Sequence, residues 1–224
     1  MLELQNITAT DRGITDLSFS LNPGEIVAII GLNGAGKTTF FRLALGILRP
    51  DSGAITCTVS KGELGQLINV PFAYPELTVQ QNLHMLSQLY SMNPTCITNS
   101  LEQWKLERYC NDQFRHLSLG NKQRVGLAGA LQHQPRLILL DEPTNALDPL
   151  GIMILRETLM QRARMGCGVV VSSHHLDEVS AIADRIVVLH AGRIIAELPA
   201  HTPNLEQQFF QLILTEDQTH ERGK

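Results

Sequence analysis

Apolar and polar residues alternate along the first two stretches of the chain, residues 2–8 (Leu-Glu-Leu-Gln-Asn-Ile-Thr) and 15–21 (Thr-Asp-Leu-Ser-Phe-Ser-Leu). Alternation is the mark of a strand with one buried face, so the pattern predicts a pair of antiparallel strands. Asn22-Pro-Gly24 is a turn, and residues 25–30 that follow are nearly all apolar, as in a strand covered on both faces. Phe40-Phe-Arg-Leu-Ala-Leu45 reads as a helix that should run to about Leu48, where Arg49-Pro-Asp-Ser-Gly53 breaks it. Residues 54–68 can supply two short strands around Ser60-Lys-Gly62. From Phe72 to Gly120 the pattern changes to helical spacing, with Val79, Leu83, Leu86, Leu89 and Tyr90 on one face behind Thr78 as a cap, and a second helix from Ile97 to Trp104. Helices at 120–132, 150–164 and 176–182 then alternate with strands at 136–140, 168–173, 185–190 and 193–198. This order predicts an α/β fold: a mainly parallel sheet core, an antiparallel N-terminal β subdomain and a helical insertion. Residues 205–214 fit a short amphipathic helix, followed by a polar end expected to fray.

Between the apolar strand and the first helix lies Gly31-Leu-Asn-Gly-Ala-Gly-Lys37-Thr38-Thr39. A strand, a glycine-rich turn and a helix start make a phosphate cradle, because several backbone N–H groups and the positive helix end converge on one anion. Lys37 can reach β- and γ-phosphates, and the Thr38 hydroxyl suits Mg²⁺. The candidate nucleotide contacts in the loop are Asn33, Gly34, Ala35, Gly36, Lys37, Thr38 and Thr39. The other reading, a glycine-rich turn with a stray lysine, does not explain the full spacing. A second apolar strand, Arg136-Leu-Ile-Leu-Leu140, ends in Asp141-Glu142. Ligands bind at strand ends of open parallel sheets. Asp141 is placed to hold Mg²⁺, directly or through water, and Glu142 to polarise an attacking water as general base.

Composition narrows the field only slightly. A chain of 224 residues with 43% hydrophobic content can bury a substantial core, and a net charge of −4 offers no global basic field for nucleic acid. No run approaches a membrane span, no signal peptide is evident, and the scattered cysteines at 57, 96, 110 and 167 suggest idle thiols in a reducing compartment. These features predict a soluble, cytoplasmic chain.

Two further stretches, Leu117-Ser-Leu-Gly-Asn-Lys-Gln-Arg124 and Val171-Ser-Ser-His174-His175, complete a set. From residue 2 to about 198 the sequence resembles the ATPase subunits of ATP-binding cassette (ABC) transporters. In that resemblance Gly31–Thr39 is the Walker A loop and Leu137–Glu142 the Walker B strand. Leu117-Ser-Leu-Gly-Asn121 is the signature, Asn145-Ala-Leu-Asp148 the D-loop and His174 the switch histidine. The resemblance implies one nucleotide-binding domain over 1–224, with a helical subdomain at about 72–120 that meets the helices of a transmembrane permease subunit. It implies ATP and Mg²⁺ as cofactors, and catalytic roles for Glu142 and His174. Ser118 and Gly120 would complete the ATP site of a second ATPase subunit, in a homodimer or a heterodimer. It places the chain on the inner face of the cell membrane.

The chain departs from the family at three places. No aromatic residue occurs in Thr8-Ala-Thr-Asp-Arg12-Gly-Ile14 to stack on adenine; Arg12 is the candidate substitute, and a surface arginine with no ligand role is the alternative. Asn69 stands where a glutamine normally contacts Mg²⁺, with Gln66 as the second candidate. Leu119 and Asn121 replace the usual Gly and Gln of the signature. The stretch Leu64–Thr78 with the altered signature resembles exporter ATPases for antibiotic peptides such as bacitracin and lantibiotics. The alternatives are a regulatory, weakly hydrolysing cassette and a non-transport ABC ATPase acting on DNA or ribosomes.

Overall fold

A computed structural model describes residues 1–68, 71, 73–93, 95–174 and 176–222. Its two sheets follow from the two kinds of strand pattern. Strand β1 (Leu2–Ala9) pairs antiparallel with β2 (Ile14–Leu21) and with β4 (Ser52–Cys57), in the order β2-β1-β4. The all-apolar β3 (Ile26–Ile30) lies inside a six-stranded sheet with β5 (Leu64–Leu67), β6 (Leu137–Leu140), β7 (Gly168–Ser173), β8 (Arg185–His190) and β9 (Arg193–Pro199). The order is β5-β6-β7-β3-β8-β9, parallel throughout except for the β8–β9 hairpin.

Side chains point alternately to opposite faces of a strand, and this splits the core in two. Ala28, Ile30, Ile138, Leu140, Val169 and Val171 face one cluster, formed with helices α2 (Val79–Leu89), α3 (Thr95–Gln103), α4 (Leu119–Leu131) and α5 (Pro149–Arg164). Val27, Ile29, Leu137, Leu139 and Val170 face the other, formed with α1 (Lys37–Ala44) and the inner face of the antiparallel sheet. The helical segment has no core of its own: Trp104, Val79 and Leu83 join the first cluster beside Val125 and Leu127 of α4. Thr78 caps α2 as the sequence predicts, accepting the N–H of Gln81 while the Gln81 side chain accepts the N–H of Thr78.

Two boundaries differ most from the sequence reading. Helix α1 stops at Ala44 instead of about Leu48, because Gly46 takes φ +67° and the N–H groups of Gly46 and Ile47 fold back to Leu43 and Arg42. The left-handed glycine ends the helix before the proline can. At the C-terminus the helix is longer than the sequence reading: α7 runs from Leu205 to Arg222. Leu205, Phe209 and Ile213 are buried against the core, and Asp217 accepts a hydrogen bond from His190 at the end of β8, 2.8 Å away, which ties the polar half to the sheet. Between β7 and β8 a short helix, α6 (Leu176–Ser180), follows His174.

Candidate nucleotide-phosphate site

The parallel strands β3, β6 and β7 are neighbours in register, Ile30 opposite Ser173 and Leu140 opposite Val171, so their C-terminal ends deliver the phosphate loop, Asp141-Glu142 and His174 to one place. The loop leaves β3 at Gly31, where a Cβ would lie 2.4 Å from the carbonyl oxygen of Leu189; only glycine fits there. Gly36 caps α1 with φ +106°, which turns the first N–H groups of the helix into the loop.

Lys37 is 7% exposed and bends back over the loop, its Nζ donating to the carbonyl oxygens of Gly31 at 2.8 Å and Leu32 at 3.4 Å. It also lies 3.4 Å from Glu142 Oε1. The other carboxylate oxygen, Oε2, is 2.7 Å from His174 Nδ1. Glu142 thus sits between the loop lysine and the histidine. Beside it the Thr38 hydroxyl donates to Asp141 Oδ2 at 2.6 Å, joining α1 to the end of β6.

A residue without a role in the sequence reading organises both acids. Ser172, fully buried in β7, donates from Oγ to Asp141 Oδ1 at 2.6 Å and accepts the Glu142 N–H at 2.8 Å. Glu142 has φ +50°, uncommon for a side chain with a Cβ. The Ser172 contact, the Asn145 N–H to Glu142 O bond at 3.2 Å, and the bond from Gln123 Nε2 to Pro143 O at 2.9 Å hold that turn. The available signal for Ser172 was a hydroxyl inside an otherwise apolar buried strand.

Ser118 caps α4, its hydroxyl accepting the N–H of Asn121 at 3.3 Å. A Cβ on Gly120 would meet the carbonyl oxygen of Ala146 at 2.7 Å, so the start of α4 rests on the 145–148 loop. In that loop Asp148 caps α5 and pairs with Arg124, which holds its carboxyl below the usual range. Among the described residues, the hydrogen bonds of Ser118 run within α4's own first turn and not to the phosphate loop. Arg12 is exposed at the end of a 3₁₀ turn, Thr10–Arg12. That turn is anchored beside the loop through Gly192, which donates to Ala35 O and accepts from Thr15. Asn33 and Gly34 are exposed at the loop tip, while Ala35 is buried and Thr39 partly so. Asn69 lies outside the described residues. Gln66 lies on β5 opposite Leu139 and lines a groove with Leu86, Leu89, Tyr90 and Gly129.

No group of three or more His, Cys, Asp or Glu side chains among the described residues could hold a metal ion. The Thr38–Asp141 pair offers hard oxygens without a protein cage. That donor set fits Mg²⁺, which takes one or two protein oxygens together with phosphate oxygens and water.

A match to the family described as ABC transporter covers residues 14–145, from the first residue of β2 through the phosphate loop and the two acids to the start of the 145–148 loop. The chain belongs to the ABC transporter ATP-binding family. Among its relatives, an uncharacterised ABC transporter ATP-binding protein YhcH of Bacillus subtilis is 35% identical, covering 95% of this chain and 75% of the relative. The bacitracin transport ATP-binding protein BcrA of Bacillus licheniformis is 33% identical over 88% of this chain and 68% of the relative. The lantibiotic transport ATP-binding protein SrtF of Streptococcus pyogenes is 33% identical over 96% and 99%. A solved structure described as the ATP binding subunit of an ABC transporter superposes with TM-score 0.84 at 29% identity, covering 95% of this chain and 94% of that one. This chain is an ABC-type ATPase, and the resemblance to bacitracin- and lantibiotic-type ATPases stands in its relatives. No helix among the described residues is long and apolar enough to cross a membrane.

Proposed function

We propose that this ABC ATPase powers export of a peptide of the bacitracin or lantibiotic class through a separate transmembrane permease subunit. One observation carries the chemistry: Glu142 lies within 3.4 Å of Lys37 and 2.7 Å of His174, beside the Thr38–Asp141 pair. ATP is bound with its triphosphate along residues 33–39. Lys37 leaves its carbonyl partners for the β- and γ-phosphates, a charge-assisted contact stronger than the ones it gives up. Thr38 and Asp141 would hold Mg²⁺, which would offset phosphate charge there. Glu142, freed from Lys37, takes the proton of the attacking water, and His174 holds Glu142 and the γ-phosphate in register. Arg12 stacks on the base. Ser118 and Gly120, at the start of α4, act on ATP held by a second ATPase subunit, most simply another copy.

Residues 1–224 act as one nucleotide-binding domain, peripheral on the inner face of the membrane. The groove between α2 and α4, lined by Leu86, Leu89, Tyr90 and Gly129, receives the permease. Leu89 is 71% exposed there, an apolar side chain suited to a partner. The peptide assignment is supported by the bacitracin and lantibiotic transport for which BcrA and SrtF are named. The test is co-purification with the permease subunit: Leu89→Arg should abolish it while leaving basal ATP hydrolysis intact. Equal recovery of permease with the variant would overturn the docking assignment.

A further inference from the structure

Behind the catalytic end of the sheet is a cavity of about 20 Å³ bounded by α5, α6 and the turn after Glu142. Among the described residues, five buried side-chain polar atoms have no hydrogen-bond partner, and three of them belong to residues that line this one cavity: Thr144 Oγ1, Arg156 Nε and Glu178 Oε2. The rest of the wall is mainly apolar, including Leu155, Leu159 and Val171. Unpartnered buried polar atoms are rare in folded proteins, and three around one space are not explained by chance packing.

The size and the chemistry agree on one occupant. A water needs about 10–15 Å³ of such space and two to four polar partners. Here Arg156 Nε–H is a donor, the Glu178 carboxylate is an acceptor, and the Thr144 hydroxyl can act as either. A single water accepting from Arg156, donating to Glu178 and bonding Thr144 satisfies all three atoms at once. Neither an anion nor a cation does so, because Glu178 repels the first and Arg156 the second.

We propose that Thr144, Arg156 and Glu178 hold one internal water, and that this water ties together the chain segments that follow Glu142 and His174. Thr144 is two residues past Glu142 in the turn closed by the Asn145 N–H to Glu142 O bond. Glu178 is on α6, which begins two residues past His174. Arg156, on α5, is the fixed post between them. The water-bridged cluster therefore controls the spacing of the two side chains that meet at 2.7 Å. The three residues are positioning residues, since none touches the phosphate loop. The water itself stands on the cavity alone; its effect on hydrolysis rests on the roles proposed above for Glu142 and His174.

The test pairs a crystal structure that resolves ordered water with steady-state ATP hydrolysis of Thr144→Val and Thr144→Ser in the full chain. The expected result is a water within hydrogen-bond reach of all three atoms in the parent, absent in Thr144→Val. The kcat of Thr144→Val should fall roughly 10- to 100-fold, as small misplacements of catalytic groups do, with ATP affinity unchanged and turnover restored in Thr144→Ser. An empty cavity, or Arg156 closed directly on Glu178, would overturn the water. A bound water with parental turnover in Thr144→Val would overturn the positioning role, as would a joint loss of affinity and turnover that serine does not rescue. An error in the role of Glu142 is separable, since it would show as full turnover in Glu142→Gln whatever occupies the cavity.

Discussion

Ser172→Ala removes one oxygen atom from the fully buried centre of the site and should damage both stability and turnover. Its hydroxyl serves two groups, donating to Asp141 Oδ1 at 2.6 Å and accepting the Glu142 N–H at 2.8 Å. Hydrogen bonds to charged groups contribute roughly 1.5–3 kcal/mol, and a buried N–H left unsatisfied costs about 1–3 kcal/mol. The Thr38 hydroxyl still serves Asp141 from the other side, so the two losses do not sum fully, and about 2–4 kcal/mol is expected. At roughly 2–4 °C per kcal/mol for a domain of this size, Tm should drop by roughly 5–15 °C. Glu142, at φ +50°, also loses the bond that holds its backbone there. Turnover should therefore fall by about 10-fold or more, with ATP affinity nearly kept, because Lys37 and the loop are untouched. Thermal unfolding followed by calorimetry and a coupled phosphate-release assay read the two effects. An unchanged Tm together with parental kcat would refute the reasoning that Ser172 organises the acids.

Four other outcomes follow from the same geometry. Glu142→Gln should retain ATP binding and lose about 10²–10⁴-fold in turnover, the usual loss with a general base; single-turnover kinetics with labelled ATP check this. Lys37→Ala should raise the ATP Kd by roughly 10- to 100-fold, the loss of a charge-assisted bond of about 1.5–3 kcal/mol, as titration calorimetry would show. Gly31→Ala should unfold or displace the loop, since its new methyl would sit 2.4 Å from the Leu189 carbonyl oxygen; overpacking of this kind costs about 1–3 kcal/mol or more and is read by denaturant titration. Burial pushes the Cys167 thiol up to about 12, against the opposing pull of Arg162, so in the native protein at pH 8 it should resist maleimide while exposed Cys57 reacts. Mass spectrometry of tryptic peptides separates the two.

What could be read from the sequence was local. The phosphate loop is legible because a strand, three glycines and Lys37-Thr38 are contiguous, and the acids because they end an apolar strand. The apolar run 26–30 reads correctly as doubly buried, since Ala28 and Ile30 pack on one core and Val27 and Ile29 on the other. Helix ends were less legible: Pro50 looked like the breaker, yet Gly46 already reverses the chain. The polar half of α7 meets the sheet through a contact between His190 and Asp217, residues far apart in sequence. Ser172 and the Thr144–Arg156–Glu178 cluster were invisible for the same reason, as their partners come from other elements.

The account turns on ATP being held by Lys37 and Thr38, left intact when Glu142 is disabled, and shared with the Ser118 segment of a second subunit. The mass in solution of Glu142→Gln, measured with and without Mg-ATP, tests this most directly. The account predicts a chain of 24.8 kDa that doubles in mass only when Mg-ATP is present, with unhydrolysed ATP in the dimer fraction. A mass unchanged by Mg-ATP, with no nucleotide retained, would contradict it.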